Sequence, residues 1–309
     1  MRLIFEPGFF SNAPVHTAFV IGAVSAIVSG IVGVVTVVRG QSFAGHALTD
    51  VATTGGAGAS LWGISPLLGF IGAGVFGAGA MDLAGVQRAR GRDLATGIVL
   101  GAATGLSALF LYLDTTRSAS TGVTQQILFG SIFTLDPSMI PLVVVLSVVT
   151  LALISWIYRP LLLSSLSAEL ASARGVRVRG VGLLFMFALA ISVGLSSIAI
   201  GSVLSTALLI GPAATSLRLT KNVRNALVLA CVLGVVSTWL GVLFAYDSYY
   251  WNPSSRGLPV SFFIVAIIFL SYLVSGTPLI RRVIARRVDA GRSSARSARV
   301  TTSRAEEVV

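Results

Sequence analysis

The chain has 309 residues, of which 55% are hydrophobic and 11% are charged, and its mean hydropathy is +0.91. Soluble domains carry about 25% charged residues, so this composition excludes an ordinary soluble protein and predicts a polytopic membrane protein. The net charge of +11 is concentrated in loops and in the C-terminal tail, which argues against nucleic acid as a partner and indicates membrane topology instead. A single cysteine, Cys231, lies in an apolar run and excludes a disulfide framework.

Nine segments are apolar enough and long enough to cross a bilayer, for which a helix needs about 20 residues. They cover residues 15–37, 43–61, 64–85, 94–113, 138–158, 181–198, 201–217, 224–245 and 260–277. The second segment is the least apolar, and the sixth and seventh are separated only by a tight turn. The predicted fold class is therefore an all-α bundle of about nine transmembrane helices.

Basic residues predict the orientation of these helices. With nine spans, 19 of the 22 Lys and Arg residues fall on the side of the C-terminal tail, and only Arg2, Arg117 and Arg256 fall on the other. Cytoplasmic loops carry the excess of basic residues, so we expect the N-terminus outside and the C-terminus in the cytoplasm. The expected organisation is an external segment over 1–14, a transmembrane domain over 15–278 and a basic, disordered tail over 279–309.

Small residues recur in several spans, as in "GFIGAGVFGAGAMDLAG" in the third and "GIVLGAATGLSA" in the fourth. Such spacing lets helix backbones approach closely in lipid, where the hydrophobic effect does not drive helices together. We expect tight packing within the bundle to account for nearly all of these glycines.

The second span carries His46 and Asp50, which lie four residues apart and therefore on one face of a helix. Ionisable groups at membrane depth are rare and usually functional. Two interpretations remain open: the side chains form a structural pair, or both face a divalent cation, for which imidazole and carboxylate are suitable ligands.

The seventh span, "IGSVLSTALLIGPAATSLRLT", carries Ser202, Ser205 and Thr206 and is expected to bend or break at Pro212. Its hydroxyls are compatible with a helix that lines a watery path, and equally with a kinked packing helix. These two interpretations remain open from the residues alone.

A loop between spans, residues 159–179, contains the short amphipathic pattern "SAELASARG". Ser167 is a candidate N-cap, Glu169 lies in the first turn and Gly175 is expected to end the helix. The segment is either a connector on the membrane surface or a helix that docks on a soluble partner.

Other acidic residues have structural interpretations. Asp82 and Asp93 are expected at helix ends, and Asp136 precedes Pro137 in a typical helix start. Asp114 and Asp247 fall at the external ends of spans, where solvation is the expected role.

Five segments in order resemble the membrane permeases of ABC importers for manganese, zinc and iron. They are "VVTVVRGQSFAGHALTDVATTGGAGA", "ILFGSIFTL", "LSAELASARGV", "IGSVLSTALLIGPAAT" and "AYDSYYWNPSSRGLPVSFFIV", which together run from about residue 15 to residue 277. In that family the first segment holds the polar second helix, and the third is the coupling helix.

The resemblance implies a bacterial plasma-membrane permease that works as a pair, with cytoplasmic ATPase subunits and an external metal-binding protein as partners. It implies a coupling helix over about 165–175 that includes Ser167, Glu169, Ala171 and Gly175. The chain has no "GxxxxGK[ST]" motif, so ATP hydrolysis is expected in a separate subunit and the chain itself is not an enzyme. Divalent metal is expected as transported substrate, with no permanently bound cofactor.

The same resemblance aligns His46 with the family's helix-two histidine, but the family's acidic position falls on Ser42. The order of the pair is therefore inverted, with Asp50 one turn after the histidine. The candidate transit ligands are His46 and Asp50, and the candidate path-lining residues are Ser42, Ser202, Ser205, Thr206 and Pro212. The alternatives are an ABC permease for a metal chelate such as a siderophore or corrinoid, or a secondary carrier.

Overall fold

The computed structural model describes residue 9 and residues 12–83, 92–118, 122–130, 132–251 and 257–277. These residues form eleven α-helices and contain no strand. The helices are α1 (Ala13–Val38), α2 (Ser42–Leu61), α3 (Pro66–Leu83), α4 (Arg92–Ser118), α5 (Gly122–Phe129), α6 (Ile140–Leu166), α7 (Ala168–Ala173), α8 (Val178–Ile200), α9 (Ser202–Leu219), α10 (Val223–Trp251) and α11 (Val260–Ser275). Two short 3-10 turns, Ile132–Thr134 and Pro137–Met139, lie between α5 and α6.

The predicted polytopic helical class is confirmed. Seven helices are long and apolar enough to cross a membrane, namely α1, α3, α4, α6 with its preceding turn, α8, α9 and α10. The shorter α11 is also apolar, and α2 occupies the predicted second span. The nine-span count and the orientation stay predictions. Most of the N-terminal segment and the whole of 279–309 lie outside the described residues.

Two helices continue through an internal proline, although Pro212 was expected to bend or break its span. The fifth span was predicted to end at residue 158, but α6 continues through Pro160 to Leu166, and α9 is not broken at Pro212. Each proline removes one backbone donor, but helical structure continues on both sides of it. Thr215 Oγ1 also donates to the Gly211 carbonyl at 2.8 Å, which adds a bond across the proline in α9.

The core of the bundle is built around α1 and α8. In their most apolar windows, 67% and 72% of the residues are buried, against 22% for α4. α1 packs against α8, α9 and α10, while α2 packs against α3, α4, α8 and α9. The least apolar span, α2, therefore lies among other helices rather than at the lipid-facing surface.

Small residues bring some helices into close contact, as predicted, but not all of them. A Cβ added at Gly55 of α2 would overlap the carbonyl of Gly69 in α3. In α4, by contrast, Cβ atoms added at Gly97, Gly101 and Gly105 would have nothing within 4 Å. The expectation that packing inside the chain explains these α4 glycines is wrong, because α4 presents them to the outside of the bundle.

Acidic residues divide into capping, paired and buried groups. Asp136 Oδ1 accepts a 2.8 Å bond from the Ser138 amide, and this bond lowers the pKa of the exposed carboxyl. Asp82, at the end of α3, is nearly buried and forms an ion pair with Arg179 of α8 at 3.1 Å.

Asp114 and Asp247 are only 4% and 0% exposed, so the expectation of a solvated role is wrong. Their helices extend beyond the predicted ends and bury both carboxyls inside the bundle.

Candidate functional site

The candidate site is a polar strip on α2, formed by His46, Thr49 and Asp50. The chain enters α2 from a turn in which Gly40 has φ of +63°, a conformation that glycine adopts without strain. His46 and Asp50 are half-buried and Thr49 is fully buried. The helical period places His46 and Asp50 on one face, as the sequence predicted, and Thr49 lies next to them.

His46 is held against α9. Its Nδ1 lies 3.2 Å from the hydroxyl of Thr206, and the Thr49 hydroxyl lies 3.5 Å from the same oxygen. Thr49 in turn donates to the Gly45 carbonyl at 3.1 Å. The imidazole is therefore positioned by a hydroxyl from a helix distant in sequence.

Asp50 is held against α4 instead. Its Oδ2 accepts a 2.9 Å hydrogen bond from Thr104, whose side chain is on the exposed face of α4. One turn further along α2, Thr54 donates to the Ala103 carbonyl at 2.8 Å. The α2 polar strip thus lies between α9 on one side and α4 on the other.

No hydrogen bond joins His46 to Asp50 in the part of the chain that the structure describes. Each side chain has a partner on a different helix, so the geometry does not support the interpretation of a direct structural pair. Both groups are only half-buried, which leaves part of each accessible to a ligand. Their role as metal ligands stays a prediction.

The candidate path-lining residues occupy different environments. Ser202 and Ser205 are buried, and the Ser205 hydroxyl donates to the Ser202 carbonyl at 3.0 Å. Pro212 is also buried, whereas Ser42 is half-buried in the first turn of α2. Of the four candidates on α9, Thr206 is the one that reaches the α2 polar strip.

The donor set limits what the site can hold. Among the described residues, no group of three or more His, Cys, Asp and Glu side chains is arranged to bind a metal ion. Resident zinc sites use about four ligands and calcium sites use about six to eight. One imidazole and one carboxylate per chain therefore fit transient contact with a cation better than permanent storage.

The second candidate element is α7, which follows α6 without a long connection. The Ser167 hydroxyl accepts a 3.2 Å bond from the Leu170 amide, and Gly175 ends the helix with φ of +78°. The amide of Val176 bonds back to the Ala171 carbonyl at 3.0 Å, which completes a glycine-terminated C-cap. Both predicted capping residues of this helix are confirmed.

One face of α7 packs on the bundle, and the other face is exposed. Ala171 is completely buried, whereas Glu169 is exposed and Leu170 is 49% exposed. Leu166, at the end of α6, is 84% exposed. This short helix therefore presents both a charged and an apolar contact to whatever lies beyond the bundle.

Comparison with known proteins places these two elements in a family. The family model described as "ABC 3 transport family" matches residues 12–275, which include both the α2 polar strip and α7. The chain belongs to the ABC 3 transport family. It is accordingly a multi-pass permease subunit of the bacterial plasma membrane.

Curated relatives and a solved structure agree with membership of the ABC 3 family. The chain is 29% identical over 274 residues to the manganese transport system membrane protein MntC of Listeria monocytogenes, covering 88% of this chain and 94% of that protein. It is 32% identical over 242 residues to the manganese import system permease protein ScaB of Streptococcus parasanguinis, covering 77% and 82%. The fold matches a chain of PsaBC from Streptococcus pneumoniae in complex with Fab, with a TM-score of 0.74, 23% identity and coverage of 90% and 97%.

Sequence analysis missed two residues that the structure brings to the strip of this ABC 3 permease. Thr104 and Thr49 lie in apolar or small-residue segments, where a threonine carries little signal of its own. α4 carries other hydroxyls, such as Thr96 and Ser107, so nothing in the sequence singles out Thr104. Their contribution depends on contacts between helices, which neither spacing nor composition specifies.

Proposed function

We propose that the chain is the membrane permease of an ATP-driven importer of divalent metal ions of the manganese, zinc and iron class. In this proposal, two copies form the path, an external binding protein delivers the metal, and separate cytoplasmic subunits hydrolyse ATP. The observation that carries the proposal is the α2 polar strip, where His46 and Asp50 face partners on α9 and α4. Residues 15–278 are the transport domain, and the basic tail 279–309 lies in the cytoplasm.

The ligand count supports a transit site that is shared between two copies. The α2 polar strip of one chain offers one imidazole and one carboxylate, and the strips of two chains would offer four ligands. Four ligands of mixed nitrogen and oxygen character suit manganese, iron or zinc, and the hydroxyls of Thr206 and Ser42 add neutral oxygen nearby. Because an ion must also leave, weak and divided binding favours conduction over retention.

The exposed face of α4 supports the pairing of two copies. Gly97, Gly101 and Gly105 recur every fourth residue with open space at each Cβ position. Small residues at this spacing allow another helix to approach closely in a membrane. Thr104, the partner of Asp50, lies on the same exposed part of α4, so a second copy packed there would lie beside the α2 polar strip.

The position of α7 supports coupling to an ATPase subunit. Exposed Leu166 and Leu170 would fill an apolar groove on the partner, and Glu169 would contact its rim. The buried Ala171 fixes the other face of α7 to the bundle. A movement of the partner would therefore be transmitted to α6 and α8, which α7 contacts.

Manganese is the first metal to test, because the relatives MntC and ScaB are named as a manganese transport system membrane protein and a manganese import system permease protein. The permease would be reconstituted in liposomes with its ATPase subunit and binding protein, and uptake of manganese, zinc and iron would be measured with and without ATP. We expect ATP-dependent uptake of at least one of these ions. His46→Ala should reduce uptake about tenfold or more, as expected when a group that holds a metal is lost.

The matched control is His16→Ala, which removes the other histidine of the sequence from an exposed position on α1. This variant should transport as the wild type does. Uptake that needs no ATPase subunit would indicate a secondary carrier instead. Uptake of a siderophore or corrinoid that is unaffected by His46→Ala would indicate a chelate permease.

A further inference from the structure

Arg39 occupies the turn between α1 and α2 and contacts the end of α6, the start of α2 and an aromatic ring of α8. Its Nη1 donates to the Ser164 hydroxyl at 3.0 Å, to the Ser165 hydroxyl at 3.4 Å and to the Leu161 carbonyl at 3.5 Å. All three acceptors belong to the last turns of α6. Arg39 is half-buried, so this guanidinium is more than a solvated topology signal.

The α6 end of this contact is built to accept a cation. The hydroxyls of Ser164 and Ser165 donate to the Leu161 carbonyl at 2.9 and 2.6 Å, which turns their lone pairs toward other donors. Ser164 lies only three residues before Ser167, which is the N-cap of α7. The arginine therefore contacts the segment that leads directly into the coupling helix.

The other end of the contact is the start of α2, the helix that carries the candidate transport site. Arg39 Nε donates to the Gln41 side chain at 3.4 Å, and Gln41 is 4% exposed and forms the N-cap position of α2. The guanidinium also lies 5.4 Å from the ring centroid of the buried Phe185 in α8. His46 follows Gln41 on the same helix, a little more than one turn further along α2.

We propose that Arg39 is a positioning residue that couples movement of α7 to movement of the α2 polar strip. This inference rests on the proposed ATP-driven transport. When the ATPase subunit moves α7, the end of α6 moves with it, and Arg39 carries the displacement to the start of α2. The same contact acts in the opposite direction, so occupancy of the strip influences α7.

The chemistry of arginine suits this role. A planar guanidinium holds several acceptors in a fixed geometry and stacks on an aromatic ring, whereas an ammonium group is a compact point charge. The Asp82–Arg179 ion pair, by contrast, connects α3 to α8. Arg39 is thus distinguished by the pair of helices that it joins.

The test uses the complete importer in liposomes and measures manganese uptake and ATP hydrolysis in the same preparation. Arg39→Gln removes the charge, and the double variant Ser164→Ala with Ser165→Ala removes two acceptors while the arginine remains. We expect uptake per ATP hydrolysed to fall about tenfold for Arg39→Gln, as for loss of one hydrogen bond to a charged group. The double serine variant should lower the same ratio, and Arg39→Lys should restore part of it.

Arg224→Gln is the matched control, since it removes an exposed positive charge at the start of α10 and should leave the ratio unchanged. If uptake and ATP hydrolysis fall together, or neither falls, in Arg39→Gln and in the serine variant, the coupling role is wrong. If Arg39→Gln does not assemble, the serine variant alone decides by the same ratio. Absence of ATP-dependent uptake in the wild type would overturn the proposed function and this inference with it.

Discussion

Asp50→Asn separates the charge of the α2 polar strip from its packing. The Asp50 carboxylate on α2 is half-buried and accepts a hydrogen bond from Thr104 of α4 at 2.9 Å. Asparagine has nearly the same shape, and its amide oxygen can accept the same bond. The substitution therefore removes the negative charge and little else.

The cost in stability should be small. Net hydrogen bonds to charged groups contribute about 1.5–3 kcal/mol and neutral ones about 0.5–1.5 kcal/mol. Thr104 is on an exposed face, where water competes for the donor, so the lower end of this difference applies, about 1 kcal/mol or less. In a chain of this length, that corresponds to a shift in Tm of less than about 3 °C, measurable by thermal unfolding in detergent.

The cost in transport should be much larger. Loss of a group that holds or positions a metal typically reduces affinity by about 10–100-fold. ATP-dependent manganese uptake in liposomes should therefore fall at least about tenfold for Asp50→Asn. Thr104→Val is the matched control, because it removes the same hydrogen bond and keeps the carboxylate. Its uptake should fall clearly less than that of Asp50→Asn, because the carboxylate keeps its charge and loses only one bond on an exposed face.

Two outcomes would refute this reasoning. Uptake by Asp50→Asn at the wild-type rate would show that the charge plays no part in transport. Equal losses in Asp50→Asn and Thr104→Val would show that the bond between α2 and α4 matters and the charge does not.

Two further predictions concern α7 and the small residues. Ser167→Ala removes the bond to the Leu170 amide, which should cost about 1 kcal/mol of local helix stability. The measurable result is weaker binding of the isolated ATPase subunit to the permease, and unchanged affinity would contradict a docking role for α7. Gly55→Leu should prevent folding, because even a Cβ overlaps Gly69, whereas Gly101→Leu should fold normally and weaken association of two copies. Cross-linking in membranes measures that association, and an unaffected dimer in Gly101→Leu would exclude this part of α4 as the contact surface.

Local signals predicted the features of this fold that depend on neighbours in sequence. The α7 helix illustrates this, since a serine before the first turn and a glycine after the last correctly specified both ends. His46 and Asp50 were likewise placed on one face because the helical period alone determines it. A helix lies at the position of each predicted span, but apolar length underestimated α4, α6 and α10, which extend beyond their most apolar portions.

Features that depend on contacts between distant segments were not predictable in the same way. Thr206 is 160 residues from His46 in sequence, and Thr104 is 54 residues from Asp50. Nothing in a single sequence indicates which threonine of which span faces α2. The charge pattern predicts the side of the membrane on which Arg39 lies, but its contacts with the end of α6 depend on how the helices pack.

The low hydropathy of α2 follows from its surroundings. A helix that faces lipid cannot keep an imidazole, a carboxylate and several hydroxyls, because each unsatisfied polar group costs several kcal/mol there, in the range of about 2–7. α2 avoids this cost by packing against α3, α4, α8 and α9, two of which supply hydroxyl partners to the strip. The position of α2 among these helices therefore allows its side chains to be polar, whereas helices that face lipid must be apolar. The proposed transit site therefore lies on the span that can keep polar side chains at the lowest cost.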